Sequence, residues 1–580
     1  MANKAKEKNR KKNTKEESTL DLDHEIIIGI KTLPEPKISK KQKKQIQKEK
    51  ELEGDLYLTK GESTNWDAQV GVYVSKSFGA HALNASAVVN ATSRESESTS
   101  SHYRGFPSGE YHSPNYAAEI KDKPSKSQST SRLAGFLFLA NYTWNDIYLA
   151  DVSVRFDGSS EFGLDQKWAP FWSFGAGVNL HNYAFLHGSK VINRMKFRAS
   201  YGQTGKVNFP SYSARTVYRT FDRWYIAGFG VGLKALGNRD LKWETTNKLN
   251  VGTDMEFWNS RISLIFDYYY NKTVDLITDV TLPGSAGFSS YKSNLGETLN
   301  KGFDIQFRFD VMKNKDWNVA LWGNLNHNRN EILKISDALK AYNSQVDDYY
   351  ELAEEDQTSN SSWVKANKTY SDFIKPIMKY EEGASLTAIY GVRSLGIDPS
   401  NGKELYLYRN GQASHKWKAT EEIVLGDSEP EASGSFGLNV TYKNFSLFAS
   451  FGYEWGKQTY NETLIMNVEN ADIQGSNVDK RVLTQRWEKP GDIAPLKDIK
   501  DMNSVTLPTS RFVQDEDVLS LDALTLSYDF DPLWLRKIYL KTLRLEVSTS
   551  ELFRLSSIKQ ERGTSYPFAR TVNFSLRATF

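Results

Sequence analysis

The residues whose types could carry out chemistry are few in this sequence, and they are not spaced for it. The 580-residue chain has eight histidines and no cysteine, which excludes thiolate metal sites, disulfides and cysteine nucleophiles. No histidine lies in the HExxH or HxH spacing that holds zinc. We therefore expect no catalytic residue, no metal site and no cofactor, and we interpret the histidines as polar residues of loops or of a lumen.

Two short motifs match reactive turns only in part. Asp157-Gly158-Ser159-Ser160 lacks the flanking glycines of a GxSxG nucleophile turn. The segment from Asp398 to Gly402 carries oxygen ligands but lacks the DxDxDG run and the distal glutamate of a calcium loop. We interpret both motifs as turns, the first of them at the end of a strand.

Aromatic residues in the long polar segments are better candidates for contact with a ligand. A flat aromatic ring can stack on a sugar ring, but the same residues can also pack loops onto each other or onto a partner protein. We favour the packing interpretation. The residues concerned are Tyr103, Phe106, Tyr111, Tyr116, Phe221, Trp224 and Tyr225.

The elements that must position these residues are long strands with one apolar and one polar face. Successive side chains of a strand point to opposite faces. Membrane-spanning strands need about 9 to 11 residues, whereas ordinary strands average about 5 to 6. We predict strands over Trp66–Ser77, Ala82–Ala91, Leu133–Trp144, Ile147–Asp157, Phe171–His181, Asn193–Gln203, Thr246–Phe257, Arg261–Asn271, Lys301–Val311, Asp316–Asn328, Ser433–Tyr442, Phe445–Gly456, Val518–Phe530, Lys541–Ser550 and Ala569–Phe580.

The connections between these strands alternate between short turns and long polar segments. Such alternation is typical of outer-membrane barrels, whose turns are periplasmic and whose loops lie outside. We expect Trp144, Trp258, Trp317 and Trp455 beside short turns, as an interfacial girdle. The short turns are Phe78–His81, Asn145–Asp146, Trp258–Ser260, Lys313–Lys315 and Lys443–Asn444, and the long segments are Thr92–Ser131, Thr204–Thr245, Thr273–Asn300, Arg329–Thr387 and Lys457–Asp517.

The alternation also fixes the parity of the strand number. The first strand runs into a short turn and the last follows a long loop, so both run in the same direction and the number is odd. A hairpin predicted within Ala388–Tyr408 adds two strands or none. We count about 15 to 17 strands, whereas bacterial single-chain barrels have even numbers, so at least one strand is expected to be missing.

The two ends of the chain differ in character. Residues 1–54 are rich in Lys and Glu, and we predict a disordered or loop-like segment there and a barrel over residues 55–580. Met1–Lys15 is basic but no apolar region follows it, so no signal peptide is expected. A net charge of +3 is too small to indicate a nucleic-acid partner.

The last ten residues form a final amphipathic strand that ends on an aromatic residue. Their apolar side chains share one face, as in the closing strand of an outer-membrane barrel. We predict that four of them form the signal for the barrel-assembly machinery: Val572, Phe574, Leu576 and Phe580.

A series of motifs over residues 60–580 resembles the SusC/RagA family of TonB-dependent outer-membrane receptors. The order and the spacing of the motifs carry this resemblance, since no single motif is decisive. They are Asp146–Ala150, Arg155–Gly163 with Trp168 and Phe171, Arg198–Gly205, Leu241–Thr246, Asp267–Thr273, Asn300–Gly302, Tyr390–Gly391, Gly396–Pro399, Leu524–Tyr528 and the terminal Phe580.

The resemblance implies a nutrient importer of the Gram-negative outer membrane rather than an enzyme. In this family a 22-stranded barrel, a plug domain and a TonB box work with a SusD-like surface lipoprotein that presents glycans or peptides. The implied fold is thus an incomplete antiparallel transmembrane β-barrel without its plug. The implied partners are the lipoprotein, the TonB complex through a missing amino-terminal part, and outer-membrane lipid. A passive porin or barrel remnant, or less favourably an outer-membrane enzyme, remains the alternative.

Overall fold

The computed structural model describes most of the chain. The described residues are 54–106, 110, 113–163, 166–207, 209, 212–225, 228–281, 290–294, 296–354, 372–471, 473, 475, 477–501, 505–559 and 570–580. The charged segment predicted over residues 1–54 therefore lies outside them, apart from Gly54.

Antiparallel strands make up most of the described chain. In chain order they are β1 Asp55–Phe78, β2 His81–Arg104, β3 Glu119–Trp144, β4 Tyr148–Ser159, β5 Trp168–Asn179, β6 Ile192–Lys206, β7 Val217–Tyr225, β8 Gly228–Ala235, β9 Glu244–Phe257, β10 Ile262–Val274, β11 Ile277–Thr281, β12 Ser290–Asn294, β13 Glu297–Lys313, β14 Trp317–Lys334, β15 Ala388–Gly391, β16 Arg393–Ile397, β17 Glu404–Leu407, β18 Ala413–Ser414, β19 Ile423–Asp427, β20 Ala432–Tyr442, β21 Phe445–Tyr460, β22 Val513–Asp529, β23 Thr542–Ser550, β24 Arg554–Ser556 and β25 Thr571–Thr579.

Among the described residues, helices lie in the connections, and all but the first, which has 18 residues, are single turns. They are α1 Asp337–Glu354, α2 Glu462–Leu464, α3 Arg481–Thr484 and α4 Pro532–Leu535, and a π-helical turn covers Ile465–Glu469. Among the described residues, no helix combines the length and the apolar character needed to cross a membrane.

A 16-stranded sheet contains every strand that the sequence predicts. Its path runs β1-β2-β3-β4-β5-β6-β9-β10-β13-β14-β20-β21-β22-β23-β25, with β24 beside β22. The predicted hairpin around Asp398 is present as β16 and β17, but it belongs to a separate small sheet, so it adds no strand to the path. Because β24 pairs with β22 beyond the end of β23, it adds no position to the path, which has 15 strands among the described residues. The predicted antiparallel arrangement and the odd number of strands are confirmed on this path.

The sheet has an apolar face and a polar face because the pairing keeps the alternation of neighbouring strands in phase. On one face, Leu264 of β10 is opposite Phe307 of β13 and Met255 of β9. On the other face, Asp267 of β10 is opposite Asp304 of β13. A shift by a single residue would place carboxylates on the apolar face, so burial of that face in lipid fixes the register.

The first three strands of the chain are about twice as long as the sequence predicts. β1, β2 and β3 have 24, 24 and 26 residues, so most of the predicted polar segment Thr92–Ser131 is strand and not loop. The other long segments also contain structure, since β7 and β8, β11 and β12, and helix α1 lie within them. Alternation identifies only the part of a strand that has one face in lipid, and these additional parts have no apolar face.

Contacts divide the described chain into two compact units. One contains residues 54–62 with Glu97–Ser127, and the other contains Ser63–Ser96 with Gln128–Phe580. The first is a strand ribbon built from segments of β1, β2 and β3. The second contains the remainder of the large sheet and the long connections.

Aromatic side chains gather at the short-turn ends of the strands. Trp144 stacks on Tyr148 with ring centroids 5.3 Å apart, and Trp317 lies 4.3 Å from the ring of Tyr442. Trp258 is also beside its turn, so three of the four predicted tryptophan positions are confirmed.

The prediction for the fourth tryptophan, Trp455, is wrong. It pairs with Ala432 at the end of β21 that is farthest from the turn at Lys443–Asn444. A strand of this length crosses the apolar band, which is about 25 Å tall and has an aromatic girdle at each interface. Trp455 therefore fits the girdle at the long-loop side.

Candidate functional site

The polar face of the large sheet carries a chain of charged and amide side chains across neighbouring strands. Arg198 of β6 donates to Asp254 of β9 at 3.2 Å and to Asp267 of β10 at 2.7 Å. On the next strands, Asn326 of β14 donates to Asp304 of β13. These contacts hold the side chains close to the sheet. They leave a hydrophilic surface that water and polar solutes can contact.

Glycines on this face make room for the carboxylates. Asp157 lies opposite Gly135, Asp151 opposite Gly175, and Asp267 opposite Gly252. A Cβ atom added to any of these glycines would collide with the carboxylate of the opposite aspartate. Each acidic side chain can therefore lie flat over its neighbouring strand, so these side chains project little from the polar face.

An aromatic pair lies farther along the polar face. The rings of Trp322 and Phe448 stack at 6.2 Å with an interplanar angle of 8°. A shallow cavity of about 430 Å³ includes Trp322 in its lining, together with Gln306, Arg308, Asn324 and Ser435. A flat ring surrounded by amide, hydroxyl and guanidinium groups can contact either a sugar or a peptide.

Two long connections fold together into a compact loop module, which we define as residues 335–354, 372–431, 461–471, 477–501 and 505–512. Its core joins helix α1 to the small strands and to the second connection. The indole nitrogen of Trp417 donates to the carbonyl of Pro508 at 2.9 Å, and the amide of Val392 donates to the same carbonyl at 3.0 Å. The buried core residues are Val346, Tyr350, Phe373, Val392, Tyr406, Tyr408, Trp417, Ala419 and Leu507.

A buried cation links the two connections of the loop module. The Arg511 guanidinium lies 2.9 Å from a carboxylate oxygen of Glu404 and 2.5 Å from one of Glu469. Burial raises the pKa of Glu404, but the Arg511 charge outweighs it and holds this pKa below its ordinary value. The module is therefore held by charges that have almost no access to water.

A second buried charge cluster anchors α1 within the loop module. The Lys379 ammonium lies 2.5 Å from carboxylate oxygens of both Asp347 and Glu422. Burial raises the pKa of Glu422 to about 7, although Lys379 acts in the opposite direction. Glu422 is thus a carboxyl group whose charge changes near neutral pH.

In the strand ribbon, a histidine lies between two carboxylates. Nδ1 of His102 is 2.6 Å from Asp122, and Nε2 is 2.7 Å from Asp55. The imidazole stacks on Tyr57 with centroids 4.0 Å apart. The hydrogen bond to Asp122 raises the pKa of His102, burial opposes this, and the bond to Asp55 raises it further. No local motif indicates this triad, because its members come from three strands.

Three of the seven sequence-predicted loop aromatics have side chains that the structure describes. Tyr103 lies in β2, and Tyr116 lies exposed in a short 3₁₀ turn. Phe106 packs near Gly54. Tyr111 and the side chains of Phe221, Trp224 and Tyr225 lie outside the described residues, so a role in ligand stacking stays a prediction.

The two turn motifs lie at strand ends. Asp157 to Ser159 form the last residues of β4, and the turn begins at Ser160. At the other motif, the amide of Gly402 donates to the carbonyl of Asp398 at 2.9 Å, which closes the β16–β17 turn.

The predicted carboxy-terminal signal lies on the apolar face of the last strand. Leu576 pairs with Leu545 and Phe574 pairs with Val547 across β23. Val572, Phe574, Leu576 and Phe580 are exposed. An assembly role for them stays a prediction.

A membrane-length antiparallel sheet with one apolar side, one polar side and long folded loops is the architecture of outer-membrane β-barrel proteins. The family model "TonB dependent receptor-like, beta-barrel" matches residues 39–462, and the chain belongs to this family. The chain is accordingly an outer-membrane β-barrel protein, and the resemblance to SusC/RagA receptors is confirmed.

Relatives and solved structures agree with this assignment. TonB-dependent receptor P3 of Formosa agariphila is 28% identical, over 84% of this chain and 48% of its own length. TonB-dependent receptor SusC of Bacteroides thetaiotaomicron is 25% identical, over 76% of this chain and 42% of its own length.

The fold of the chain is also that of a solved transporter. The structure of the RagAB peptide transporter superposes with a TM-score of 0.71 at 22% identity, over 87% of this chain and 53% of that one. The chain thus spans about half the length of the curated relatives that it matches.

Proposed function

We propose that the chain forms the barrel part of a SusC-type importer that takes up oligosaccharides or peptides across the outer membrane, driven by TonB in the intact protein. The observation that carries this proposal is the continuous polar face, on which Arg198, Asp254 and Asp267 form one network. This surface offers a hydrated path, and Trp322 with its amide neighbours offers a contact for sugar or peptide groups.

The loop module supports a role in substrate capture. Its core and its buried charges make it a preformed surface at the long-loop ends of β14 and β21, rather than a set of flexible loops. A SusD-like lipoprotein that delivers substrate would require such a surface to dock on. TonB would act through a part of the importer that precedes the barrel.

Two other functions predict different behaviour. A passive porin would carry solutes without TonB, and an outer-membrane enzyme would need a reactive group on the polar face or in the loop module. The relatives are receptors and not enzymes by name. Transport that requires TonB is therefore the property that separates the proposal from its alternatives.

The proposal can be tested with a chimera in which residues 55–580 replace the matching half of SusC from Bacteroides thetaiotaomicron. The chimera is expressed with and without TonB, and uptake of a panel of fluorescently labelled oligosaccharides and peptides is measured. We expect uptake that requires TonB, and an R198Q chimera should transport less. A folded chimera with only TonB-independent flux would favour the porin, and one with no flux would contradict both.

A further inference from the structure

The connection between β22 and β23 exposes an unusual number of large apolar side chains. We call residues Asp531–Lys541 the interfacial turn. Within it Leu533 is 71% exposed, Trp534 49%, Ile538 45% and Tyr539 91%, whereas Leu535 is buried. Four large apolar groups within seven residues form a surface that water would not favour, and such surfaces mark interaction sites.

The interfacial turn continues the aromatic belt at the short-turn side of the sheet. The ring of Trp534 stacks on Phe530 at 5.8 Å, and Phe530 lies 5.0 Å from Tyr528. Tyr528 in turn lies 4.6 Å from Phe445 on the apolar face. In addition, the amide of Asp529 donates to the carbonyl of Asn444 in the neighbouring short turn. The segment therefore lies at the boundary between the lipid-facing side and the aqueous phase.

Three cations share this segment with the apolar groups. Arg536, Lys537 and Lys541 are exposed, and none of them forms an ion pair within the part of the chain that the structure describes. The one acidic group of the segment, Asp531, accepts a hydrogen bond from the amide of Leu533 and so caps α4. The side chains thus combine apolar groups with uncompensated positive charge.

We infer that the interfacial turn binds the phospholipid leaflet on the short-turn side, with Leu533, Trp534, Ile538 and Tyr539 at the acyl boundary and Arg536, Lys537 and Lys541 at anionic headgroups. Interfacial segments of membrane proteins combine apolar and cationic side chains in this way. The inference depends on the outer-membrane location and is independent of what the protein imports. The connection between β22 and β23 contains a short helix, although a two-residue turn would suffice to join the strands. The inference assigns a lipid partner to this additional segment.

Lipid retention by the purified full chain in nanodiscs tests the charges. Native mass spectrometry compares retained phosphatidylglycerol with phosphatidylcholine in the wild type, in R536Q/K537Q/K541Q, and in K403Q/K489Q/K500Q, which removes three exposed cations from the loop module at the long-loop side. Each cation near an anionic surface contributes about fivefold. We therefore expect the first variant to lose about tenfold or more of its preference for phosphatidylglycerol, and the second to change little. Equal losses in the two variants would overturn the inference.

Fluorescence quenching measures how deeply Trp534 enters the membrane in the folded protein. The signal of Trp534 is obtained as the difference between the wild type and W534F, because the chain has 14 tryptophans. We expect phospholipids brominated near the glycerol end of the acyl chain to quench this signal, and iodide to leave it unquenched. Quenching by iodide alone would show that the segment faces water, as a docking surface for a periplasmic protein would, and would contradict the lipid assignment.

Discussion

The imidazole of His102 can donate from both ring nitrogens only when it is protonated. Both nitrogens face carboxylates, those of Asp55 and Asp122, so the arrangement favours the imidazolium form. The nearby Lys121 charge lowers the pKa of His102, and the charges of Lys121 and Arg104 both lower the pKa of Asp55. The contact of His102 with the two carboxylates is therefore sensitive to pH. It lies at the end of β2 that is farthest from the turn between β1 and β2.

We predict that the strand ribbon loosens as pH rises. Because the pKa of His102 is raised on folding, its stabilising contribution is complete below its ordinary pKa of about 6.5 and is lost as pH rises through the raised value. Hydrogen exchange of residues 97–104, corrected for the intrinsic rate at each pH, should increase across this range. The H102Q variant should lose this dependence, and an unchanged profile in H102Q would contradict the prediction.

The Arg511 side chain is a second residue whose role depends on burial. Removal of one partner from a buried ion pair leaves an uncompensated charge and costs about 3 to 5 kcal/mol. We expect R511M to unfold the loop module locally, since Glu404 and Glu469 would lose their shared partner. Hydrogen exchange should rise in residues 393–407 and 505–512, whereas exchange in β9 and β10 should not change.

An exposed ion pair provides the matched control for R511M. Arg544 and Asp529 form a pair with both hydrogen bonds at 2.7 Å, but the side chains are 41% and 47% exposed to solvent. Exposed pairs contribute about 0 to 1 kcal/mol. R544M should therefore have little effect, and a loop module that stays protected in R511M would show that the ion pair does not hold it.

At the scale of elements, alternation was sufficient to locate every strand of the sheet path but not its extent. The prediction for β2 stopped at Ala91, while the strand continues to Arg104. Beyond the lipid-facing part, Ser, Thr and Glu occupy both faces, so periodicity is lost although pairing persists. The sequence does not predict the loop module for a related reason: its two connections are joined by contacts between residues distant in the chain, such as Trp417 and Pro508, which are 91 positions apart.

The glycines of the polar face give a prediction for strand pairing. In G252V, the new side chain would collide with the Asp267 carboxylate and the Arg198 guanidinium, so the network between β6, β9 and β10 would have to shift. Overpacking of this kind costs about 1 to 3 kcal/mol. We expect a lower unfolding temperature of the folded barrel, measured by its heat-modifiable mobility on gels.

A strand glycine with free space is the control for this substitution. At Gly61 of β1, an added Cβ would meet only a backbone oxygen at 3.9 Å. G61V should therefore keep the wild-type unfolding temperature, because valine also suits a strand. If G252V and G61V lowered the unfolding temperature equally, the strands would need glycine in general, and the contact with the Asp267 carboxylate would not be the cause.

At the scale of the whole molecule, the parity of the sheet limits how it can close. The path has β1 at one end and β25 at the other, and these strands do not pair with each other among the described residues. Successive strands alternate in direction, so the two end strands of a path with an odd number run the same way. An antiparallel barrel can then close only through an odd number of further strands between β1 and β25.

Engineered cysteines test this arrangement without background, because the chain has no cysteine of its own. Val72 of β1 and Phe574 of β25 are both exposed, and V72C/F574C should form no intramolecular disulfide under mild oxidation. The pair L545C/L576C is the control, since these residues are directly opposite each other in β23 and β25. Efficient cross-linking of V72C to F574C would mean that the two end strands meet directly and in parallel. That result would remove the argument for further strands, whereas cross-linking in the control pair alone would support it.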